Sequence, residues 1–251
     1  MKASEALANV GVLPARRLKA RRDARVLVVG AGGLGNPCAL ALARAGVGAL
    51  RICDDDVVDA TNLHRQILFD ETSVGKPKLD EAKRALESMT DVRVETARTR
   101  FLPARARELL DGCDVVVEGA DNFPTKFLVG DACALARVPV VHAAAVRLHG
   151  TVLAVGRDGA PCYRCVFEDV PREATANCDT AGVLGPMVGV VGALQASLAL
   201  DFLDGRDVGG AFVSYDAKFD VLRRTRMHAR PSCAACGTRL IDDLDEGRYK
   251  G

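Results

Sequence analysis

The chain has 251 residues, of which 49% are hydrophobic, so it can build one large α/β domain or two small ones. Its 34 basic residues nearly balance its 33 acidic residues, which gives no general attraction to nucleic acid or to an anionic membrane. Glycine or charged residues interrupt each apolar run before it reaches the length of a membrane span, and the N-terminal segment lacks the apolar core of a secretory signal. We therefore predict a cytoplasmic protein that binds neither nucleic acid nor a membrane.

Short apolar runs alternate with helix-like segments through the first half of the chain. The strand-like runs lie at 26–29, 49–53, 92–96, 114–118 and 138–143. The helix-like segments lie at 33–46, 79–90, 104–111 and 123–136. This β-α-β-α alternation predicts an α/β fold in which helices cover both faces of a parallel sheet.

The second half of the chain has a different pattern. A strand-like run at 148–156 precedes a stretch at 158–185 that is rich in glycine, proline, cysteine and charge, and an apolar helix is predicted at 186–204. Two further strand-like runs, 211–215 and 218–226, are too close together for a helical crossover, so we expect them to extend the sheet with antiparallel strands. The polar tail from Asp242 onward is expected to be frayed.

The segment GAGGLG joins the first predicted strand to the first predicted helix. Gly30, Gly32 and Gly35 fit G-x-G-x-x-G, a pattern that lets the backbone approach a phosphate at a helix N-terminus. Asp54 ends the second predicted strand, where a carboxylate commonly binds a ribose. The pattern predicts a nucleotide but does not distinguish NAD from ATP.

Polar groups downstream of Asp54 favour ATP. A triphosphate with a pyrophosphate leaving group requires additional cations, whereas the diphosphate of a dinucleotide does not. Asn62, Arg65, Gln66 and Lys78 supply such a polar set. A single arginine or lysine is ordinarily a solvated surface charge, so the prediction depends on the combination.

Asp121 and Asn122 follow the fourth predicted strand, at the edge where ligands bind in open α/β sheets. A carboxylate there can hold Mg²⁺ against phosphate oxygens. Aspartate and asparagine are also good N-caps for the helix that follows, so either residue can cap while the other binds.

Four of the nine cysteines form two Cys-x-x-Cys pairs. Cys162 with Cys165 and Cys233 with Cys236 supply four thiolates, the donor set of a closed tetrahedral zinc site with a structural role. Neither pair stands at the strand-to-helix junction of a thioredoxin-like redox motif. We predict that zinc ties the long loop to the C-terminal strands.

The motifs occur together in the order found in one enzyme family. The segments GAGGLG, DDD…TNLHRQ, VGKPK, GADN, CYRC, NCDTAGVLGPMVGVVGALQA and CAACG, between about Arg25 and Gly237, resemble those of MoeB/ThiF-type adenylyltransferases, bacterial relatives of ubiquitin-activating enzymes. The resemblance implies a Rossmann-like sheet with an antiparallel extension, a homodimer and one structural zinc per subunit. It also implies ATP-dependent adenylation of the C-terminal Gly-Gly carboxylate of a small ubiquitin-like sulfur-carrier protein, with release of pyrophosphate.

The resemblance also assigns roles to individual residues. It gives catalytic roles to Arg65, Lys78, Asp121 and Cys178, with Mg²⁺ on Asp121. Because a carboxylate is already a nucleophile at neutral pH, this chemistry needs positioning and charge stabilisation but no histidine base. The full set of implied ATP contacts is Gly30, Gly32, Gly33, Gly35, Asp54, Asp56, Asn62, Arg65, Gln66, Lys78, Asp121 and Asn122.

Two positions depart from the family pattern. The N-terminal motif whose arginine reaches the partner subunit's ATP is absent, and Arg16, Arg17, Arg21 and Arg22 are its candidate substitutes. Lys126 stands where the family often has an arginine, which keeps the charge but loses the bidentate fork.

Cys178 matches a cysteine of the family's crossover loop that in some members handles sulfur or thioester-like chemistry. Its neighbours are polar, so it is either an exposed, reactive thiol or a bystander in a loop. Only fourteen residues follow Gly237, so we expect the sulfur donor to be a separate protein.

Three other functions fit part of the sequence. An NAD-dependent oxidoreductase would explain the glycines and Asp54 but not Arg65, Lys78 or the cysteine pairs. A homologue that binds a carrier with little or no catalysis is a second alternative. A dehydratase that adenylates a carboxylate on tRNA is a third, although the cysteine pairs and the balanced charge count against it.

The chain is predicted to form a single adenylyltransferase domain at 25–240. Its nucleotide-binding part is 25–146, and its carrier-binding and zinc part is 147–240. An N-terminal segment (1–24) and a tail (241–251) flank the domain.

Overall fold

The computed structural model describes residues 14–171 and 182–250. Their strands form one mixed sheet of eight in the order β3-β2-β1-β4-β5-β6-β7-β8. The strands are β1 (Arg25–Val29), β2 (Ala49–Asp54), β3 (Arg93–Arg98), β4 (Val115–Glu118), β5 (Val140–Val146), β6 (His149–Val155), β7 (Ala211–Asp216) and β8 (Val221–Arg226).

Helices connect most of these strands. In the described part of the chain they are α1 (Ala15–Asp23), α2 (Gly35–Arg44), α3 (Lys78–Met89), α4 (Pro103–Leu110), α5 (Phe123–Ala136), α6 (Tyr163–Phe167) and α7 (Gly185–Leu203). Short 3-10 turns lie at Ala60–Asn62, Glu71–Ser73 and Glu246–Tyr249.

The predicted fold class is confirmed. Strands β1 to β5 pair in parallel, and β6, β7 and β8 add antiparallel pairs at one side of the same sheet. One continuous sheet therefore passes through both predicted parts of the domain. The boundaries of those parts remain predictions.

The alternation of side chains along each strand creates two cores. In β1, Val26 and Val28 join the core beneath α2, α3 and α7, whereas Leu27 and Val29 join the core beneath α4 and α5. Successive strand residues point to opposite faces of a sheet, so an uninterrupted apolar strand needs helices on both faces.

Helix α7 is long and apolar enough to cross a membrane by length and composition, contrary to the expectation that no segment reaches that length. Half of its most apolar window is buried, and the helix packs against α2, β5 and β6. Gly192 allows this close packing, because a Cβ there would lie 2.7 Å from Pro37 Cγ. A buried core helix passes the same length and composition test as a membrane span.

The C-terminal segment packs against the domain, so the expectation of a frayed tail is wrong. Tyr249 is 8% exposed, and its hydroxyl donates a hydrogen bond of 2.9 Å to Asp131 Oδ2. Leu244 packs against the same core as Tyr249. One ring and one buried acceptor anchor a segment whose composition is otherwise polar.

Candidate active site

A cavity of about 900 Å³ lies at the carboxyl ends of β1, β2 and β4 and continues to the turn between β5 and β6. The structure brings together in its wall all the predicted ATP contacts except Gly35. They are Gly30, Gly32, Gly33, Asp54, Asp56, Asn62, Arg65, Gln66, Lys78, Asp121 and Asn122.

The glycine loop leads from β1 into the N-terminus of α2. Gly30 has φ +91°, a conformation that favours glycine. No described side chain caps α2, so its first N–H groups suit an anion. Gly35 lies behind the loop, where a Cβ would be only 1.9 Å from the carbonyl oxygen of Gly30. This contact gives Gly35 a close-packing role, and because the residue does not line the cavity, its contact with a phosphate stays a prediction.

Asp54 and Asn36 hold the glycine loop in shape. Asp54 Oδ2 accepts a hydrogen bond of 2.7 Å from the Ala31 N–H. Asn36 Nδ2 donates at 2.7 Å to the Ala31 carbonyl oxygen, and Asn36 Oδ1 accepts at 2.9 Å from the Leu68 N–H. None of the sequence motifs pointed to Asn36, although a polar residue directly after the glycine motif, in a helix that is mostly apolar, is a usable signal.

Lys78 is a buried cation at the first position of α3. A short antiparallel bridge between Val57 and Pro77 brings it beside β2. Its Nζ lies 2.9 Å from Asp56 Oδ2, and only 8% of the lysine side chain is exposed against 60% of the aspartate. The Lys78 ammonium is thus held in the wall of the cavity by burial and by its ion pair with Asp56.

Arg65 lies beside the glycine loop. A Cβ added at Gly33 would come within 3.2 Å of Arg65 Cδ, so glycine at this position leaves space for the arginine. Arg65 Nη1 also donates to the Thr61 carbonyl oxygen at 3.4 Å. The loop and the cation therefore converge on one side of the cavity.

Of the two neighbours Asp121 and Asn122, the structure gives the capping role to Asn122. Asn122 Oδ1 accepts a hydrogen bond of 2.9 Å from the Thr125 N–H and so caps α5. Asp121 is exposed in the cavity wall, and its Oδ1 accepts a bond of 3.3 Å from Asn122 Nδ2. An exposed carboxylate beside a phosphate-sized cradle fits the oxygen ligands that Mg²⁺ prefers.

A buried charged cluster lies beneath the Asp121 loop. Lys126 Nζ donates to Glu118 Oε2 at 2.9 Å, and His142 Nδ1 lies 3.0 Å from the same oxygen. Burial opposes ionisation of Glu118, but Lys126 and His142 outweigh it and hold the pKa of Glu118 below its usual value. Burial lowers the pKa of His142 despite the favourable charge of Glu118, which favours the neutral imidazole.

The four paired cysteines form a separate cluster. Their sulfurs all lie within 4.8 Å of one another, with Cys162–Cys233 at 3.4 Å and Cys165–Cys236 at 3.3 Å. Burial opposes ionisation of Cys233, but the N–H groups of Cys236 and Ala235 and the Cys162 thiol lower its pKa to about 7. Four converging sulfurs are a donor set that fits tetrahedral zinc.

With this geometry established, the family can be assigned. The family model described as the ThiF family matches residues 4–235. The chain belongs to the ThiF family.

Two kinds of curated ThiF relative are similar to this chain. The SAMP-activating enzyme E1 of Haloferax volcanii is 39% identical over 231 residues, which cover 90% of this chain and 85% of that protein. The adenylyltransferase and sulfurtransferase MOCS3 of Anopheles gambiae is 39% identical, with 94% of this chain and 55% of the relative covered. The MOCS3 of Bos taurus is 43% identical, with 89% and 50% covered. The chain thus spans about half the length of these MOCS3 relatives.

Solved structures agree with the ThiF fold. Escherichia coli MccB with ATP superposes with a TM-score of 0.76 over 88% of this chain and 69% of that chain, at 23% identity. The structure of MccB with succinimide gives a TM-score of 0.77 at 24% identity. At this identity the likeness concerns the fold alone.

Two of the four arginines proposed to replace the N-terminal arginine of the ThiF family, Arg21 and Arg17, pair with Asp204 instead. Arg21 donates to both carboxylate oxygens of Asp204, at 2.9 and 2.8 Å, and Arg17 lies 3.8 Å from the same aspartate. These contacts anchor α1 to the end of α7 that is remote from the cavity. Arg16 and Arg22 are exposed and remain candidates.

Several residues of the cavity escaped our sequence analysis. Phe123, Tyr163, Phe167 and Tyr249 form an aromatic side of its wall, with ring centroids 4.7 Å apart for Tyr163 and Phe167. Phe123 lies in α5, Tyr163 and Phe167 lie one turn apart in α6, and Tyr249 lies in the C-terminal 3-10 turn, so no single spacing along the chain joins all four. Cys178 lies outside the described residues.

Proposed function

We propose that this ThiF-family chain adenylates the C-terminal carboxylate of a small ubiquitin-like sulfur carrier that ends in Gly-Gly. The observation that carries the proposal is the single cavity that runs from Gly30 past Asp121 to Gly150. ATP bound on the glycine loop and a peptide carboxylate entering along β6 would meet beside Asp121. The names of the curated relatives, an activating enzyme and adenylyltransferases, agree with this chemistry.

In the reaction, a carboxylate oxygen of the carrier attacks the α-phosphorus of ATP. A new O–P bond forms as the bond to the bridging oxygen of the β-phosphate breaks, and pyrophosphate leaves with the electron pair. Arg65 and Lys78 hold the negative charge of the β- and γ-phosphates, and the first N–H groups of α2 face the phosphate chain. No proton has to be removed from the nucleophile, so the work of the site is positioning and electrostatic stabilisation.

Two metal ions belong to this proposal. Mg²⁺ would bind to Asp121 and neutralise phosphate charge. Zinc would bind to Cys162, Cys165, Cys233 and Cys236 and stabilise the segments that carry them, because four sulfur ligands leave no open position for catalysis. Cys178 is proposed as a thiol that acts after adenylation, with sulfur supplied by a separate donor protein.

The remaining expectations complete the proposal: a cytoplasmic homodimer that acts on a protein carrier. Size-exclusion chromatography with light scattering tests the dimer, and a monomer at micromolar concentration would contradict it. Transfer of labelled sulfur to the carrier by wild-type protein and by Cys178→Ala tests the thiol. The cysteine has no role if both proteins transfer sulfur equally.

The adenylation itself is tested by exchange of labelled pyrophosphate into ATP. Exchange is expected only with a carrier that ends in a free Gly-Gly carboxylate. The matched control is the same carrier with a C-terminal amide, which keeps the fold of the carrier and removes the nucleophile. Absence of exchange with any Gly-Gly carrier, or equal exchange with the amide, would refute the proposed function.

A further inference from the structure

We propose that Glu118 and Lys126 form a buried clamp that positions Asp121 and thereby determines how much Mg²⁺ strengthens ATP binding. This role rests on the proposed function, in which Asp121 carries the metal. Lys126 lines the cavity, but its side chain is only 6% exposed and its ammonium bonds to Glu118 and the Ala143 carbonyl oxygen rather than to Asp121; we therefore assign both residues a positioning role.

The clamp holds the loop just before Asp121. Strand β4 ends at Glu118, and the chain then turns so that the Ala120 N–H donates to Glu118 Oε1 at 2.6 Å. The neighbouring Gly119 N–H donates to the Val29 carbonyl oxygen of β1 at 3.1 Å. The residue that precedes Asp121 is therefore fixed by the Glu118 side chain.

The clamp also ties the start of α5, which follows Asp121, to β4 and β5. Lys126 lies in the first turns of α5, whose cap is Asn122. Its three ammonium protons match three acceptors: Glu118 Oε1 at 3.2 Å, Glu118 Oε2 at 2.9 Å and the Ala143 carbonyl oxygen at 2.5 Å. One ion pair thus joins β4, the start of α5 and β5, with Asp121 between its two ends.

The burial of this pair argues for a positional role. The side chains of Lys126 and Glu118 are 6% and 0% exposed, and a buried ion pair is a weak source of net stability because both charges lose their hydration. The Lys126 ammonium and the Glu118 carboxylate balance each other's charge. Removing either charge leaves the other buried and uncompensated, so the loop must rearrange.

Calorimetry without carrier tests the clamp. The dissociation constant of α,β-methylene ATP, which prevents turnover, is measured in EDTA and in Mg²⁺, and the ratio of the two is the gain from the metal. Lys126→Met and Glu118→Gln should lower this gain about 10-fold, the usual cost of losing a partner behind a metal ligand. Glu118→Asp combined with Lys126→Arg, which shortens one side chain and lengthens the other, should recover most of the gain.

Arg21→Met is the matched control. It breaks another buried pair, with Asp204, whose side chains are 7% and 1% exposed, and it lies far from the cavity. If the clamp variants lose thermal stability as this control does but keep the wild-type gain, the pair is only structural and the inference is wrong. If both single variants fail to fold, Glu118→Asp alone decides, because it keeps the opposite charges but draws the carboxylate back from the Ala120 N–H: a gain about 10-fold lower with intact folding supports the clamp, and a wild-type gain contradicts it. Wild-type protein that shows neither a gain from Mg²⁺ nor pyrophosphate exchange refutes the proposed function instead.

Discussion

Position 35 has no room for a side chain larger than the hydrogen atom of glycine. The 1.9 Å between a Cβ at this position and the Gly30 carbonyl oxygen is far below a van der Waals contact, and both atoms belong to the turn between β1 and α2. Gly32, in the same motif, has no atom within 4 Å of such a Cβ. Within one motif, glycine is therefore required for close packing at position 35 and leaves open space at position 32.

Gly35→Ala should destabilise the folded protein by several kcal/mol or prevent soluble expression, because the backbone of the turn must move. Gly32→Ala should keep the wild-type melting temperature and weaken ATP binding, since the methyl group enters the cradle. Thermal melts and ATP titrations measure the two effects. Wild-type stability of Gly35→Ala would show that the turn is less constrained than the distance indicates.

Lys78→Ala should lower the rate of pyrophosphate exchange about 100-fold, because a preorganised charge on the transferring phosphates is lost. Lys76→Ala is the control, since its side chain is 53% exposed and pairs only with Glu81 at 3.9 Å among the contacts described. Steady-state exchange rates of the two variants measure the difference. Equal rates would mean that Lys78 serves only to pair with Asp56.

Among the secondary-structure elements, β5 carries the clearest pH dependence. His142 has an ordinary pKa of 6.5, and burial lowers its pKa in the folded protein against the opposing charge of Glu118; Lys126 and Asp131 also face it. Its contribution to stability is therefore fully present above pH 6.5 and is lost as the pH falls toward the folded-state pKa.

His142→Asn should keep a donor near Glu118 while removing the titration. The slope of unfolding free energy against pH should become shallower below pH 6.5, where the unfolded histidine takes up a proton before the folded one, as measured by urea denaturation. The lowered pKa of Glu118 acts only below its ordinary value of 4.5. An unchanged slope would show that His142 does not titrate differently on folding.

The segments joined by the four cysteines should depend on zinc. Cys233→Ser, or a strong chelator, should remove about one zinc per chain and cost more than about 4 kcal/mol, a loss typical of structural metal sites. Cys113→Ala, a buried cysteine outside the cluster, is the control for metal content. Metal analysis and denaturation measure both effects. Full stability without zinc would contradict a structural role.

The elements themselves were predictable because apolar periodicity is local. Strands such as 26–29 and helices such as 123–136 fall within a few residues of β1 and α5, and the ThiF family was recognised correctly from motifs. Failures arose where distant segments meet. The tail was expected to be frayed because its anchor, Asp131, lies in α5, far from the tail in sequence. The Glu118–Lys126 pair was not predicted because neither residue belongs to the glycine motif or to a cysteine pair.

For the molecule as a whole, the sheet order explains how one cavity reaches the places proposed for both substrates. The parallel strands β1, β2 and β4 place the nucleotide groups at one edge, and the antiparallel β6 continues the same cavity. Asp54 and Asp121 were predictable from their positions at or just after strand ends, and Lys78 from the set of polar groups that follows Asp54. The aromatic side of the cavity was not, because it forms only when α5, α6 and the C-terminal turn pack together.

The most direct measurement follows the oxygen atoms of the carrier. A Gly-Gly carrier labelled with ¹⁸O in its C-terminal carboxylate is incubated with the enzyme, Mg²⁺ and ATP, and the adenylate is then discharged with a thiol that attacks the carbonyl carbon. If the carboxylate attacks the α-phosphorus, mass spectrometry of the released AMP should find one labelled oxygen. Unlabelled AMP, or label in inorganic phosphate instead, would contradict adenylation at this site.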